Sequence, residues 1–113
     1  MVERGAIYFV EAPGDPHQRP APVIVVSTEI RNRYGRDVLV IPLSTSPKRS
    51  ETHLELAPGE TGLPHASIAK CEQIGAVTNM VFEGRSPVSP RRMSEARIRQ
   101  MADLVAWAMG VKR

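Results

Sequence analysis

Three short polar groups interrupt the apolar runs of this chain, and each has residue types suited to phosphate or proton-transfer chemistry. The first is Lys70-Cys71-Glu72-Gln73, inside the otherwise apolar stretch Ile68 to Val77. If that stretch is one strand, alternation puts Lys70 and Glu72 on one face and Ala69, Cys71 and Gln73 on the other. A carboxylate beside an ammonium can be a general base with an electrostatic partner. It can equally be a same-strand ion pair, worth ~0–1 kcal/mol when exposed. The second group, Ser44-Thr45-Ser46, follows the apolar run Val38 to Leu43. Small hydroxyls at a strand end suit a phosphate, and they also suit a plain turn. The third is His17-Gln18-Arg19, in the long loop Ala12 to Pro22. Such a loop in a small domain carries function or simply covers surface.

Other chemistries find no support. His17, His53 and His65 share no ligand spacing with one another or with Cys71, so no metal and no cofactor is expected. Gly59-Glu60-Thr61-Gly62 lacks the Lys-Ser/Thr and the helix of a phosphate-cradling loop. No serine-hydrolase elbow is present. Two Tyr, two Phe and one Trp are too few for a base-stacking platform.

The elements that must position these groups are mostly strands. Arg4 to Glu11 is apolar and β-prone. Val23 to Ser27 and Val38 to Ile41 are continuous β-branched runs, which predicts strands buried on both faces. Pro42-Leu43 closes the second of these. Thr28 to Arg36 is polar and holds Asn32 and Gly35. Thr52 to Leu56 alternates strictly and reads as a half-exposed strand. Two prolines and two glycines in Ala57 to His65 make a turn. Ser67 to Val77 reads as one further strand, and Met80 to Val88 as a short helical turn followed by a short strand. The period then changes. Ile98, Met101, Leu104, Val105 and Ala108 form one helical face, with Gly110 as the stop. Ser89-Pro90 and Ser94-Glu95 compete as its start.

With 113 residues, 12.4 kDa and 42% hydrophobic content, the chain is one domain with a core of its own. The single cysteine excludes an internal disulfide and fits a reducing compartment. The longest apolar runs are far short of the ~20 residues of a membrane span. Ala6 to Val10, preceded by Glu3, is no secretory signal. The expected location is the cytoplasm. The formal net charge of +3 permits a nucleic-acid partner without demanding one. Five or six short strands and a terminal helix predict a mainly β fold, a small antiparallel barrel with a C-terminal α-helix closing it. The helix face left over is expected to meet a second subunit.

Taken in order, the motifs resemble the MazF/PemK family of type II toxins, which are mRNA endoribonucleases. Arg4-Gly5-Ala6-Ile7-Tyr8-Phe9-Val10 is similar to the family's opening Arg-Gly-Asp-Ile-Tyr-Trp-Val, with Ala6 in place of Asp. Arg19-Pro20, followed by Val23 to Ser27, resembles its Arg-Pro-Val-Leu-Val-Val-Ser, here with Ala21-Pro22 intervening. Val40 to Ser46 resembles its Val-Pro-Leu-Thr-Thr. Thr52 to Leu56 and Gly62-Leu63-Pro64 resemble its next strand and turn. Lys70 to Ile74 resembles its Cys-Asp-Gln-Ile segment, and Val88 to Met93 its Leu-Ser-Pro-x-x-Met. The resemblance runs along nearly the whole chain.

That resemblance implies an SH3-like β-barrel of the MazF/PemK/CcdB type and a homodimer. It also implies single-stranded RNA in an interface groove and a cognate antitoxin that occupies the groove. Cleavage would need no metal. Glu72 matches the acidic position proposed as base, Lys70 the basic position before the cysteine, Ser44 a phosphate-binding Thr, and Arg19 the catalytic Arg. Aligning on the strand instead puts Ala21 at that arginine position. His17, Thr45, Gln73 and His53 are expected to touch the RNA. The alternative is a non-catalytic barrel of the same fold, binding RNA passively or a protein target as CcdB does gyrase.

Overall fold

A computed structural model of the chain describes residues 2–11, 17 and 19–111. Within the predicted first loop, residues 12–16 and Gln18 lie outside the described residues. Among the described residues six strands form one antiparallel sheet: β1 Ile7–Glu11, β2 Pro20–Val25, β3 Asp37–Ser44, β4 His53–Leu56, β5 Ser67–Lys70 and β6 Gly75–Thr78. Three α-helices among the same residues accompany them: α1 Glu29–Tyr34, the single turn α2 Pro58–Thr61, and α3 Glu95–Ala108.

β3 is the spine. One edge pairs with β2 through Val23↔Pro42 to Val25↔Val40. Its other edge takes β6 from Asp37 to Val40, then β5 at Leu43 and Ser44. Proline was expected to end this strand, yet β3 runs through Pro42. The reason is local: Pro42 falls between the stretches paired with β6 and β5, where a missing N–H costs no ladder bond. The sheet order is β1-β2-β3-β5-β4, with β6 off this path. The outer strands β1 and β4 are not joined in that path, so the curled sheet is not strictly closed, while the expected class holds, a mainly antiparallel β fold with a C-terminal α-helix.

Both faces of the central strands are buried, as the β-branched runs predicted. Ile7, Ile24, Ile41 and Leu43 join Ile98, Met101 and Leu104 of α3 in one core. Tyr8, Val23, Val25, Val38 and Val40 join Val77 and Phe82 in a second. Pleating sends neighbours along each strand to opposite cores. The helix stripe ends at Val105, since Ala108 is exposed.

Ser94, the second of the competing starts, caps α3: its hydroxyl accepts the Arg97 N–H at 3.2 Å, and Glu95 sits in the first turn. The first start is unused because the backbone there is committed elsewhere. Val88 donates to Ile7 O at 2.7 Å and Met93 to Gly5 O at 2.9 Å, strapping this segment to β1. The polar stretch after β2 contains α1, capped by Thr28, a helix its sequence period did not announce. The segment after β6 is a 3-10 turn, Asn79–Phe82, and among the described residues no strand follows it.

Candidate active site

The predicted strand Ser67 to Val77 is two strands with a corner between them. β5 ends at Lys70, the chain makes one 3-10 turn over Cys71–Gln73, and β6 resumes at Gly75 against another part of β3. Cys71 anchors the turn. Its N–H donates to Thr52 O at 3.2 Å, and its fully buried thiol donates to Ala69 O at 3.7 Å. Strand alternation therefore does not reach Glu72. The turn carries that side chain over the start of β4, away from a same-strand pair with Lys70. Among the described residues, Lys70 makes no ion pair with it.

Both carboxylate oxygens of Glu72 are held. Thr52 Oγ1 donates to Oε1 at 2.9 Å. His53 Nε2 lies 3.2 Å from Oε2. The second ring nitrogen, Nδ1, accepts the Arg49 N–H at 3.3 Å, so in the neutral imidazole the hydrogen sits on Nε2 and points at the carboxylate. Thr52 is itself supported by Ser50. The Ser50 hydroxyl accepts the Thr52 N–H at 3.2 Å and lies 2.9 Å from Thr52 Oγ1. Thr52 and His53 are buried, whereas the Glu72 side chain keeps 33% of its surface.

The electrostatics follow. Burial pushes the Glu72 carboxyl up, but a backbone hydrogen bond, the Thr52 hydroxyl and His53 outweigh it and hold the group below the ordinary carboxylate range. Glu72 is thus an anion with an open side. Burial, and then the adjacent Glu72 charge, push the Cys71 thiol up to about 11. The thiol is neutral and buried, a core residue rather than a nucleophile.

Register brings three more predicted residues to the same region. Ser44 pairs with Ile68, and His53 with Lys70. Ser44, Lys70 and His53 therefore share one face of the β3-β5-β4 ladder, opposite the face that Leu43 and Ala69 send into the helix-covered core. Strand rise and spacing put the Ser44 and Lys70 α-carbons ~8 Å apart. The Ser44 hydroxyl accepts the Ser46 N–H at 3.0 Å, so it does turn chemistry while its own hydrogen remains for a ligand. Gln73 is exposed at the end of the 3-10 turn.

Ser44 also borders a groove of about 360 Å³ lined by Phe9, Pro20, Ala21, Pro22, Thr45 and His65 among others. Its far wall is the start of β2. That strand begins at Pro20, so Arg19-Pro20 abuts the strand directly, and Ala21-Pro22 are strand residues opposite Val10 and Phe9. Ala21 lines the groove; Arg19 and His17 are exposed. The structure thus gathers Glu72, His53, Lys70 and Ser44 on one surface, with Thr45 beside Ser44, whereas Arg19 and His17 precede β2 and do not line the groove. Ser50 and Thr52 were missed. Thr52 was legible only as the first residue of an alternating strand, and nothing in that period marks its hydroxyl. Among the described residues no group of three or more His, Cys, Asp or Glu is placed to hold a metal ion. Among the described residues no helix is long and apolar enough to cross a membrane.

The sequence matches the family of the PemK-like, MazF-like toxin of type II toxin-antitoxin systems over residues 3–104. No curated protein matches the chain. Among solved structures, a mycobacterial endoribonuclease in complex with its cognate antitoxin is similar at 18% identity and a TM-score of 0.76, covering 100% of this chain and 99% of that one. The Mycobacterium tuberculosis toxin MazF-mt6 gives 14% and 0.75, covering 96% and 99%. MazE-MazF from Deinococcus radiodurans gives 9% and 0.77, covering 98% of each chain. At such identities these likenesses establish the fold.

Proposed function

The chain belongs to the PemK-like, MazF-like toxins of type II toxin-antitoxin systems, and from that membership we propose that it cuts single-stranded RNA without a metal, by attack of the ribose 2′-OH on the adjacent phosphate. The observation that carries this reading is Glu72, an ionised carboxylate gripped on one side and open on the other, on the surface shared by Ser44 and Lys70. Glu72 takes the 2′-OH proton. The 2′-oxygen bonds to phosphorus as the bond to the 5′-oxygen breaks, leaving a cyclic phosphate and a 5′-OH. Arg19 gives a proton to the departing 5′-oxygen, and the Lys70 ammonium and the Ser44 hydroxyl stabilise charge on the phosphate. His17, Thr45 and Gln73 line the path of the flanking nucleotides.

The rest of the reading follows from the same membership. The chain acts as one domain, pairs with a second copy, works in the cytoplasm, and is held in check by a cognate antitoxin that covers the groove. The likeness to an endoribonuclease bound to its antitoxin supports both roles. The test is incubation of the purified protein with a long RNA in EDTA. Fragments with 5′-OH ends are expected. Intact RNA merely retarded on a gel would replace the nuclease with a passive RNA-binding barrel.

A further inference from the structure

We infer that Thr52 and His53 are positioning residues for Glu72, that Ser50 completes the device, and that His53 therefore works behind the carboxylate rather than on the RNA. This rests on the reading of Glu72 as the base. Hydrogen bonds run through the device in one direction. The Thr52 N–H donates to Ser50 Oγ, which leaves the Ser50 hydrogen for Thr52 Oγ1. Thr52 in turn has its own hydrogen for Glu72 Oε1. On the other side the Arg49 N–H fills His53 Nδ1 and commits Nε2–H to Glu72 Oε2. With both ring nitrogens engaged and only 8% of the residue exposed, His53 has no polar atom left for a nucleotide.

The device solves a problem set by the corner. Glu72 stands on a three-residue turn, not on a strand, so its rotatable side chain would sample several directions at an entropic cost to catalysis. One side-chain donor on each oxygen, beside a backbone hydrogen bond, fixes the carboxylate plane. Two oxygens with about four lone-pair sites hold these three donors and keep capacity for an incoming hydroxyl on the open side. The same donors favour the anion, in agreement with the lowered carboxyl. The segment leading into β4, which holds Ser50 and Thr52, also carries the ionisable groups of Arg49 and Glu51. β4 supplies His53, the turn supplies the neutral thiol of Cys71, and β5 supplies Lys70, the ladder partner of His53. α3 and β3 meet the turn through the core that holds Cys71, with apolar Ile98, Met101, Leu104, Ile41 and Leu43.

Thr52→Val keeps the shape and removes the hydroxyl; Thr52→Ser restores it. His53→Ala removes the second donor, and His53→Gln keeps a donor near Nε2. The readouts are the carboxyl titration of Glu72 by carbon NMR, the pH profile of single-turnover RNA cleavage, and thermal melting to confirm folding. Thr52→Val and His53→Ala are expected to raise the Glu72 titration midpoint and shift the acid limb of cleavage upward in step, about tenfold in rate per pH unit on that limb. Thr52→Ser and His53→Gln are expected to stay near the parent protein, and KM for RNA to change little. A folded Thr52→Val protein with an unmoved Glu72 titration overturns the inference. So does a His53→Ala protein whose only defect is a raised KM. If the titration moves while the cleavage profile does not, the positioning device stands and the assignment of Glu72 as base falls.

Discussion

In the proposed reaction the deciding residue is Glu72, and its ionisation sets a sign. Its carboxyl is lowered in the folded chain, so the base is present well below neutral pH and is lost only as pH falls through that lowered value. Cleavage is expected to hold from neutral pH down into the acid range, then drop as Glu72 takes up a proton; a drop beginning near neutral pH would point to a different base. Glu72→Gln should lower the single-turnover rate by ~10²–10⁴, the usual worth of a placed general base, with RNA affinity nearly unchanged. Arg19→Ala should cost ~10²–10³ in the same assay. A near-parental Arg19→Ala rate would move the guanidinium's task elsewhere. Sequence supplied the types at this scale: Glu72, Lys70, Ser44 and Arg19 all stand out as polar residues at apolar boundaries. It could not supply Thr52 and Ser50, because a hydroxyl looks the same in sequence whether it caps a turn, faces water or holds a carboxylate.

Elements explain why Glu72 and its donors meet. The corner at Cys71–Gln73 exists because β3 is long enough to take β6 on one stretch and β5 on the next, and the chain must step out of the sheet between them. That step was not legible in the apolar run Ser67 to Val77, since a 3-10 turn with a buried cysteine keeps the run's hydrophobicity. The strands with β-branched runs were legible, because burial on both faces imposes that composition. α1 was not, because its six residues are too few to show a helical period. The frame around the corner gives two tests. Gly5 has φ +84, and a Cβ there would meet Met93 O at 3.0 Å, in the strap that leads into α3. Gly5→Ala should destabilise the fold by ~1–3 kcal/mol in denaturant unfolding. α2 is tied to α3 by Arg97 on Glu60, at 2.7 Å, while Glu60 also accepts the Ala57 N–H at 2.9 Å. The Arg97 hydrogen bond, then the Ala57 N–H, hold the Glu60 carboxyl below its ordinary 4.5. The stability Glu60 contributes is present above that ordinary value and lost as pH falls through the lowered one. Glu60→Gln should therefore lower the melting temperature at pH 7 and leave it nearly unchanged at strongly acid pH.

For the whole molecule, the question is what covers the surface that the sheet and α3 leave apolar. The sheet of this barrel-like fold is not strictly closed, and one core is roofed by only part of α3. A groove of about 400 Å³ lined by Val26, Leu39, Ile74 and Val105 remains between helix and sheet, rimmed by Arg4, Glu95 and Arg99. Beyond the buried stripe, Trp107, Met109 and Val111 are exposed at the C-terminal end of α3. Large exposed apolar patches mark interaction surfaces, and a closed two-fold pair is the commonest way for a chain to cover one. The single-chain sequence hinted at this only through a helix with more apolar residues than one stripe requires; it could not say which face remains open, because that depends on the curl of the sheet. Two chains of 12.4 kDa make 24.8 kDa, and light scattering at micromolar concentration should return that mass. Arg99→Glu together with Val105→Glu, placed on the groove and away from Glu72, should shift the mass towards a single chain while melting stays cooperative. If the particle is a single chain before any substitution, the groove is not a dimer contact. The RNA path would then have to be complete within the surface that Glu72, Lys70, Ser44 and the start of β2 already form.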